Sequence, residues 1–516
     1  MARSPVAIIG GGAAALVAAF TLGPVVAVLW HATDWPGLSK SDWLALRFTV
    51  MQAVASAVLS CALAIPVARA LARRVFPLRS LLISVMGAPF ILPVIVGVLG
   101  LIAVFGRSGL VNQGLTAVGL PKVSIYGLTG ILLAHVFLNL PLAVRMILMG
   151  WQSIPAERLR LARSLGFGPG QMMRHLEVPM LRAILPGAFL VIFVICLTSF
   201  AVALTLGGGP RATTVELAIY QAIRFDFDLG RAGGLAMLQV VTCALAVALG
   251  WRIAQPSGFG AGLDRAAVID APNGWRLWLD GGCIALASTF LLGPLLAVVL
   301  SGLPALFALP EAVFSALHRS LVIAVTSAFL TGGLALGLGL AAAKGGRAAR
   351  VIDLAATLPL ATSALVLGVG LFLLAKPLVP PAQLALPVTM IANVVLSLPF
   401  AYRLILPEAQ SLTSDYGRLA SSLGIGGLSY LRHVAIPRLA RPLGFGAGLA
   451  AAFSMGDLGV IALFASDRSA TLPLVIERLM AAYRIEAAMG AAVLLVVISF
   501  GLFWVFEAWG RWRAAT

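Results

Sequence analysis

The chain is 516 residues long, 60% hydrophobic and only 11% charged, far below the roughly 25% charged residues of a soluble domain. This composition excludes a soluble enzyme or binding module, and four cysteines scattered through apolar runs (Cys61, Cys196, Cys243, Cys283) argue against a disulfide framework or a cysteine metal site. The formal net charge of +17 would suit a nucleic-acid partner, but its distribution follows a membrane instead.

Apolar stretches long enough to cross a bilayer, about 20 residues each, begin near 6–30, 47–70, 80–105, 127–150, 184–206 and 231–252. A second set follows near 277–302, 320–343, 351–375, 384–406, 440–464 and 487–509. The expected fold class is an all-α membrane protein with twelve transmembrane helices, arranged as two six-helix repeats. The first stretch contains Gly10-Gly11-Gly12-Ala13-Ala14-Ala15, a match to the G-x-G-x-x-A dinucleotide fingerprint. That fingerprint has meaning only between a strand and a helix of a βαβ unit. Here the apolar run continues to Trp30, so the small residues are expected to serve close helix packing in lipid. The run is also longer than the apolar core of a signal peptide. With both termini placed in the cytoplasm, 24 of the 36 Lys and Arg fall on the inner side, while the acidic residues divide evenly. That asymmetry is the positive-inside signature, and it orients the chain in a cytoplasmic membrane.

Between the fourth and fifth stretches of each set lies a polar segment that occurs twice. The first copy is Arg160-Leu161-Ala162-Arg163-Ser164-Leu165-Gly166, nine further residues and Leu176-Glu177-Val178-Pro179. The second copy is Arg418-Leu419-Ala420-Ser421-Ser422-Leu423-Gly424, nine residues and Val434-Ala435-Ile436-Pro437; 11 of 25 positions from Arg158 and Tyr416 onward are identical. The repeat divides the chain into a first half, 1–252 (core 46–252), a linker, 253–275, and a second half, 276–516 (core 318–509). Six spans separate equivalent elements, so the halves share one orientation and form a parallel pseudo-dimer about an axis along the membrane normal. Near 207–229 and 471–484 the outer segments are amphipathic and are expected to form short interfacial helices.

The duplicated segment has the build of a docking element. Ile154-Pro155-Ala156-Glu157 opens a short helix, with proline tolerated at the first turn and Glu favoured by the dipole. Gly166 supplies a left-handed residue that ends it. An amphipathic stretch follows, with Met172, Met173 and Leu176 on one side and Arg174 and His175 on the other, before Pro179. A short helix on a glycine hinge suits insertion into a partner's groove.

This pattern resembles the EAA loop of type I ABC importer permeases, although the leading Glu and first Ala of that motif are replaced by Arg160-Leu161 and Arg418-Leu419. The resemblance implies the permease fold and a coupling role for Ala162, Gly166, Pro179, Ala420, Gly424 and Pro437. Two copies of a cytoplasmic ABC ATPase would dock on them. The sequence has no G-x-x-x-x-G-K-[ST] phosphate loop, so ATP would be used by that partner, with no cofactor bound by this chain and no enzymatic role for it. The stretch Leu206–Gln221 with Asp226-Phe227-Asp228 is similar to thiamine and thiamine-pyrophosphate permeases; ferric-iron permeases are the nearest alternative. A periplasmic thiamine-binding protein and membrane lipid are then the remaining partners. An ion-coupled secondary transporter would want paired ionisable residues in mid-membrane, and only Asp457 lies well inside a span.

Individual residues complete the expectations. Asp457, in Ser454-Met455-Gly456-Asp457-Leu458-Gly459, is a carboxylate whose placement in a span calls for a cavity or a partner. It could draw a cationic substrate or hold a bend at the gate. Ser199-Phe200 occupies the equivalent place in the first half. His135 and Asn139, one helical turn apart, either line the path or make interhelical hydrogen bonds. Arg224-Phe225-Asp226-Phe227-Asp228 could touch a docked binding protein or form a solvated rim.

Overall fold

The computed structural model describes residues 5–31, 37–86, 92–152, 154, 156–253, 274–377 and 380–515; nearly all of the expected linker, and Pro155, lie outside them. The first half runs α1 (Pro5–His31), α2 (Lys40–Arg73), α3 (Arg79–Val85), α4 (Val94–Phe105), α5 (Leu110–Ala117) and α6 (Leu128–Gln152). It continues through α7 (Ala156–Ser164), α8 (Pro169–Met172), a π-turn (Met173–Glu177), α9 (Val178–Leu197), α10 (Phe200–Leu206), α11 (Val215–Arg224) and α12 (Leu229–Ile253). The second half runs α13 (Trp275–Ala305), α14 (Glu311–Ala342), α15 (Gly346–Thr357), α16 (Ala364–Ala375), α17 (Pro381–Ser422) and α18 (Gly427–Tyr430). After a second π-turn (Leu431–Ala435) come α19 (Ile436–Gly456), α20 (Gly459–Phe464), α21 (Leu472–Ala481) and α22 (Ile485–Ala515).

Among the described residues, eleven helices are long and apolar enough to span a membrane. Counting the bent pair Gly346–Ala361 and Ala364–Ala375 as one span, with its 102° bend, gives twelve. Four stretches expected as single spans are each built from two helices. Residues 80–105 divide into α3 and α4, 184–206 into α9 and α10, 351–375 into α15 and α16, and 440–464 into α19 and α20. Hydropathy alone cannot see such breaks, because residues on either side are equally apolar. Two of them carry local polar groups: Ser363 accepts the Val366 amide at 3.2 Å to start α16, and Asp457 accepts the Gly459 amide at the start of α20. The expected outer helices are α11 and α21.

The two halves match closely in their later elements, where α8, the π-turn and α9 recur as α18, the second π-turn and α19, at the offset that separates Arg160 from Arg418. Earlier elements recur at a longer offset, as the starts of α2 at Lys40 and α14 at Glu311 show. The difference is the segment carrying α5, which has no counterpart among the described residues between α16 and α17. Asn112 knits this extra loop together: its amide donates to the Gly106 and Val123 carbonyls at 2.8 and 2.9 Å and accepts from the Val123 amide at 2.8 Å.

The chain packs as two compact units that interleave along the sequence. One contains Met1–Ser39, Val215–Thr242 and Ser301–Thr516; the other contains Lys40–Thr214 and Cys243–Leu300. The first helix of each half thus belongs with the body of the other. In the first unit, a Cβ on Gly10 would fall on Ala341 of α14, and one on Gly370 would fall on the Pro24 backbone. Gly10, part of the false dinucleotide fingerprint, therefore serves close helix approach. In the second unit, Gly100 of α4 meets the Pro294 carbonyl of α13 in the same way.

Candidate coupling segments and gate

Both copies of the duplicated segment end their helix identically. Gly166 and Gly424 take φ of +66° and +67°. The amide after each reaches back to the alanine carbonyl: Phe167 to Ala162 and Ile425 to Ala420, both at 2.9 Å. This is the six-to-one bond of a Schellman ending, which needs a left-handed residue where glycine stands. Ala162 and Ala420 are buried, so a small side chain is required where the segment rests on its own bundle. Two leucines of each copy are exposed among polar neighbours. Leu161 and Leu165 are 59% and 62% exposed, and Leu419 and Leu423 are 55% and 63% exposed. Each copy therefore presents an i, i+4 pair of leucines to its surroundings. The sequence reading did not single out these leucines; their recurrence at matching places in the two copies was the available signal.

After the glycine, the expected amphipathic stretch forms a four-residue helix and a five-residue π-turn in both halves. The π winding turns Met173 outward, 40% exposed, while Met172 and Leu176 are half-buried. The expected common face of Met172, Met173 and Leu176 is therefore only partly formed. Pro179 and Pro437 each stand two residues past the π-turn within a continuous helical run, where proline has no amide hydrogen to donate to the preceding turn.

His135 and Asn139 are buried in an interhelical network. His135 Nδ1 lies 3.0 Å from Ser56 Oγ of α2, and the Asn139 amide donates to the His135 carbonyl at 2.9 Å and to Cys196 Sγ at 3.4 Å. Gln52 donates to the Cys196 carbonyl at 2.9 Å. The equivalent positions of the second half are Asn393, Ser397 and Ser454. There Asn393 donates to Ser454 Oγ at 2.9 Å, and Ser397 Oγ lies 3.0 Å from Thr331 Oγ1. Different residues thus rebuild the same three-helix link, which is why identity matching did not find it. Burial and these bonds favour the interhelical role for His135 and Asn139, although His135 Nε2 is buried without a hydrogen-bond partner.

The candidate gate is the break between α19 and α20. Asp457 Oδ1 accepts the Gly459 amide at 3.1 Å, which caps α20. Its other oxygen, Oδ2, is buried without a hydrogen-bond partner. In the first half, Ser199 stands at the start of α10 without a side-chain cap, and Phe200 is buried. Glu216, in the first turn of α11, went unnoticed in the sequence. It is completely buried, and Ser363 and Gln239 lie beside it, yet neither completes a well-formed hydrogen bond to its oxygens. Burial pushes its carboxyl up to about 8, with Ser363 and Gln239 opposing the rise. Among the described residues, no group of three His, Cys, Asp or Glu could hold a metal ion.

The turns that follow α11 and α21 share an unusual feature. Phe227 and Tyr483 have φ of 53° and 58°, and their side chains are 81% and 90% exposed. A bulky residue rarely takes this conformation. Asp226 pairs with Arg231 at 3.1 Å, and Asp228 caps α12 through the Arg231 amide at 2.9 Å.

Comparison with known proteins places these elements in context. Residues 333–513 match the family described as binding-protein-dependent transport system inner membrane component. The thiamine transport system permease protein of Brucella abortus (strain 2308) is 38% identical over 521 residues, covering 98% of this chain and 95% of the relative. Its namesake from Escherichia coli (strain K12) is 38% identical over 520 residues, covering 96% and 95%. A molybdenum transport system permease protein of Mycobacterium bovis is 30% identical over 233 residues, covering 44% of this chain and 87% of the relative.

Proposed function

The chain belongs to the thiamine transport system permease proteins, membrane components of binding-protein-dependent transport, and on that premise we propose that it forms the path by which an ATP-driven importer carries thiamine across the inner membrane. The observation that carries the coupling role is the duplicated segment: two helices with the same Schellman ending, each exposing a leucine pair at the same place in its copy. Two equal apolar knobs call for two equal grooves, and hence two copies of an ATPase. Ala162, Gly166, Pro179, Ala420, Gly424 and Pro437 set the shape of these knobs, and the leucines make the contact. ATP hydrolysis belongs to the ATPase subunits, and both termini lie on their side of the membrane. The two functional halves are 1–252 and 276–516, joined by the linker 253–275.

At the outer face, Phe227 and Tyr483 are the contact points for a thiamine-loaded binding protein. Exposed aromatic rings held on strained backbone in two equivalent turns fit recognition better than packing. ATP binding draws the coupling segments together and opens the path outward; hydrolysis reopens it inward, an alternation between two packings. Asp457 shapes the gate by holding the break ahead of α20. Ser199 and Phe200 form the matching bend in the first half, and His135 and Asn139 tie helices together behind it.

The test is uptake of labelled thiamine into proteoliposomes containing this chain, its ATPase and the binding protein. Accumulation should require ATP inside the vesicles and be insensitive to collapse of ion gradients. Accumulation driven by an ion gradient without ATP would sink the proposal.

A further inference from the structure

The two coupling segments present the same surface but are tied to the protein by opposite chemistry. In the first half, the tie is ionic. Glu177, the last residue of the π-turn and the cap position of α9, is buried between two arginines of α2. Arg73 donates to Oε1 at 2.7 Å, and Arg69 Nε lies 2.8 Å from Oε2. The Glu177 side chain is 3% exposed and that of Arg73 is 8% exposed. The arginines sit in the last two turns of α2, where the helix dipole favours positive charge. The next residue, Arg74, extends the chain of ion pairs to Asp280 of α13 at 2.8 Å.

The second half lacks the carboxylate, although Lys344 stands where Arg73 does. Ala435 stands where Glu177 does, fully buried, and α14 carries no charge between Arg319 and Lys344. Ala435 instead joins an apolar cluster with Leu338, Ala341, Ala342, Tyr402 and Leu439. The equivalent joint is therefore an apolar contact, where the first half has a buried two-arginine clamp. Removing one partner of such a clamp leaves a buried charge uncompensated.

We propose that Glu177 is a positioning residue through which the first coupling segment moves α2 and α13 as one body, so that the first half transmits the ATPase stroke through charge while the second transmits it through apolar packing. This rests on the reading of the duplicated segments as ATPase docking sites. The clamp touches neither the ATPase-facing leucines nor the candidate gate. Its loss should therefore affect how much transport each ATP yields, leaving docking intact.

The experiment uses the complete complex in proteoliposomes and measures thiamine transported per ATP hydrolysed. Glu177→Gln should lower that ratio several-fold while the ATPase stays bound, and Arg73→Gln should do the same. The double variant should be no worse than either single one, because both remove one shared interaction. A triple variant, Arg69→Met, Arg73→Met and Glu177→Met, guards against simple misfolding because it leaves no buried charge unpaired. It should remain assembled and keep the lowered ratio. A wild-type ratio in Glu177→Gln, additive losses in the double variant, or full recovery in the all-methionine variant would each overturn the clamp's role. Failure of the wild-type chain to bind the ATPase at all would instead overturn the docking reading beneath it.

Discussion

Set side by side, the first and second coupling segments share the face they show and differ in how each is joined to its bundle. In the first half, α6 stops at Gln152 and a separate helix, α7, starts at Ala156, with Pro155 in the sequence between them. In the second half, Thr413 stands in place of that proline, its hydroxyl bonded to the Ala409 carbonyl at 2.8 Å, and α17 runs unbroken to Ser422. One segment is a separate helix clamped by arginines; the other continues a span and rests on an apolar cluster. Yet the Schellman ending, the buried alanine and the exposed leucine pair agree in both. What the two halves hold in common is what a partner would touch, and what they vary is how the touch is passed inward.

The largest expected effect comes from the shared face. Replacing Leu161 and Leu165 together with Asp, or Leu419 and Leu423 together, should abolish stable ATPase association in a pull-down from membranes. Insertion of the chain should be unaffected, because these side chains are exposed. If both pairs are dispensable, the comparison rests on the wrong surface. Next in size is a change that makes the second segment resemble the first. Thr413→Pro removes an amide from the interior of α17 and should cost about 3 kcal/mol, read as a fall in the thermal midpoint of the purified chain. An unchanged midpoint would mean that the joint between α17 and its coupling end is already loose. Smaller again is valine at Gly166 or Gly424. Neither position has an atom within 4 Å of an added Cβ, so the penalty is backbone strain alone, about 1–2 kcal/mol. Equal losses of coupling from the two sites would support equal roles; loss from one alone would show that a single segment carries the stroke.

The smallest effect concerns another difference between halves, Glu216 at the start of α11 against Pro473 at the start of α21. With its carboxyl raised from 4.5 to about 8 by burial, the folded state holds this proton more tightly than the unfolded state does. Glu216's contribution to stability is therefore complete below about pH 4.5, declines as pH rises toward about 8, and is flat above. Glu216→Gln should remove that slope from thermal midpoints measured between about pH 5 and about pH 8. A slope that survives the substitution would assign it to another group.

The repeat, the spans and the left-handed glycines were legible because each follows from a local rule: hydropathy over the length of a span, or the one residue type that tolerates positive φ. The exchange of α1 and α13 between the halves was not legible, because local pattern does not say which bundle an apolar helix joins. The clamp was equally hidden, since Arg69 and Glu177 stand far apart in sequence and each alone is an ordinary interfacial charge. Asp457 was visible as an anomaly, but only the Gly459 contact shows its capping bond.

The most direct test of the coupling account is site-specific cross-linking. Single cysteines at Leu165 and at Leu423 would be cross-linked to the ATPase in the assembled complex, the native cysteines being held in apolar surroundings. The account predicts that each position captures one ATPase subunit, and that a chain bearing both captures two. Capture at neither position, with the complex intact, would contradict it.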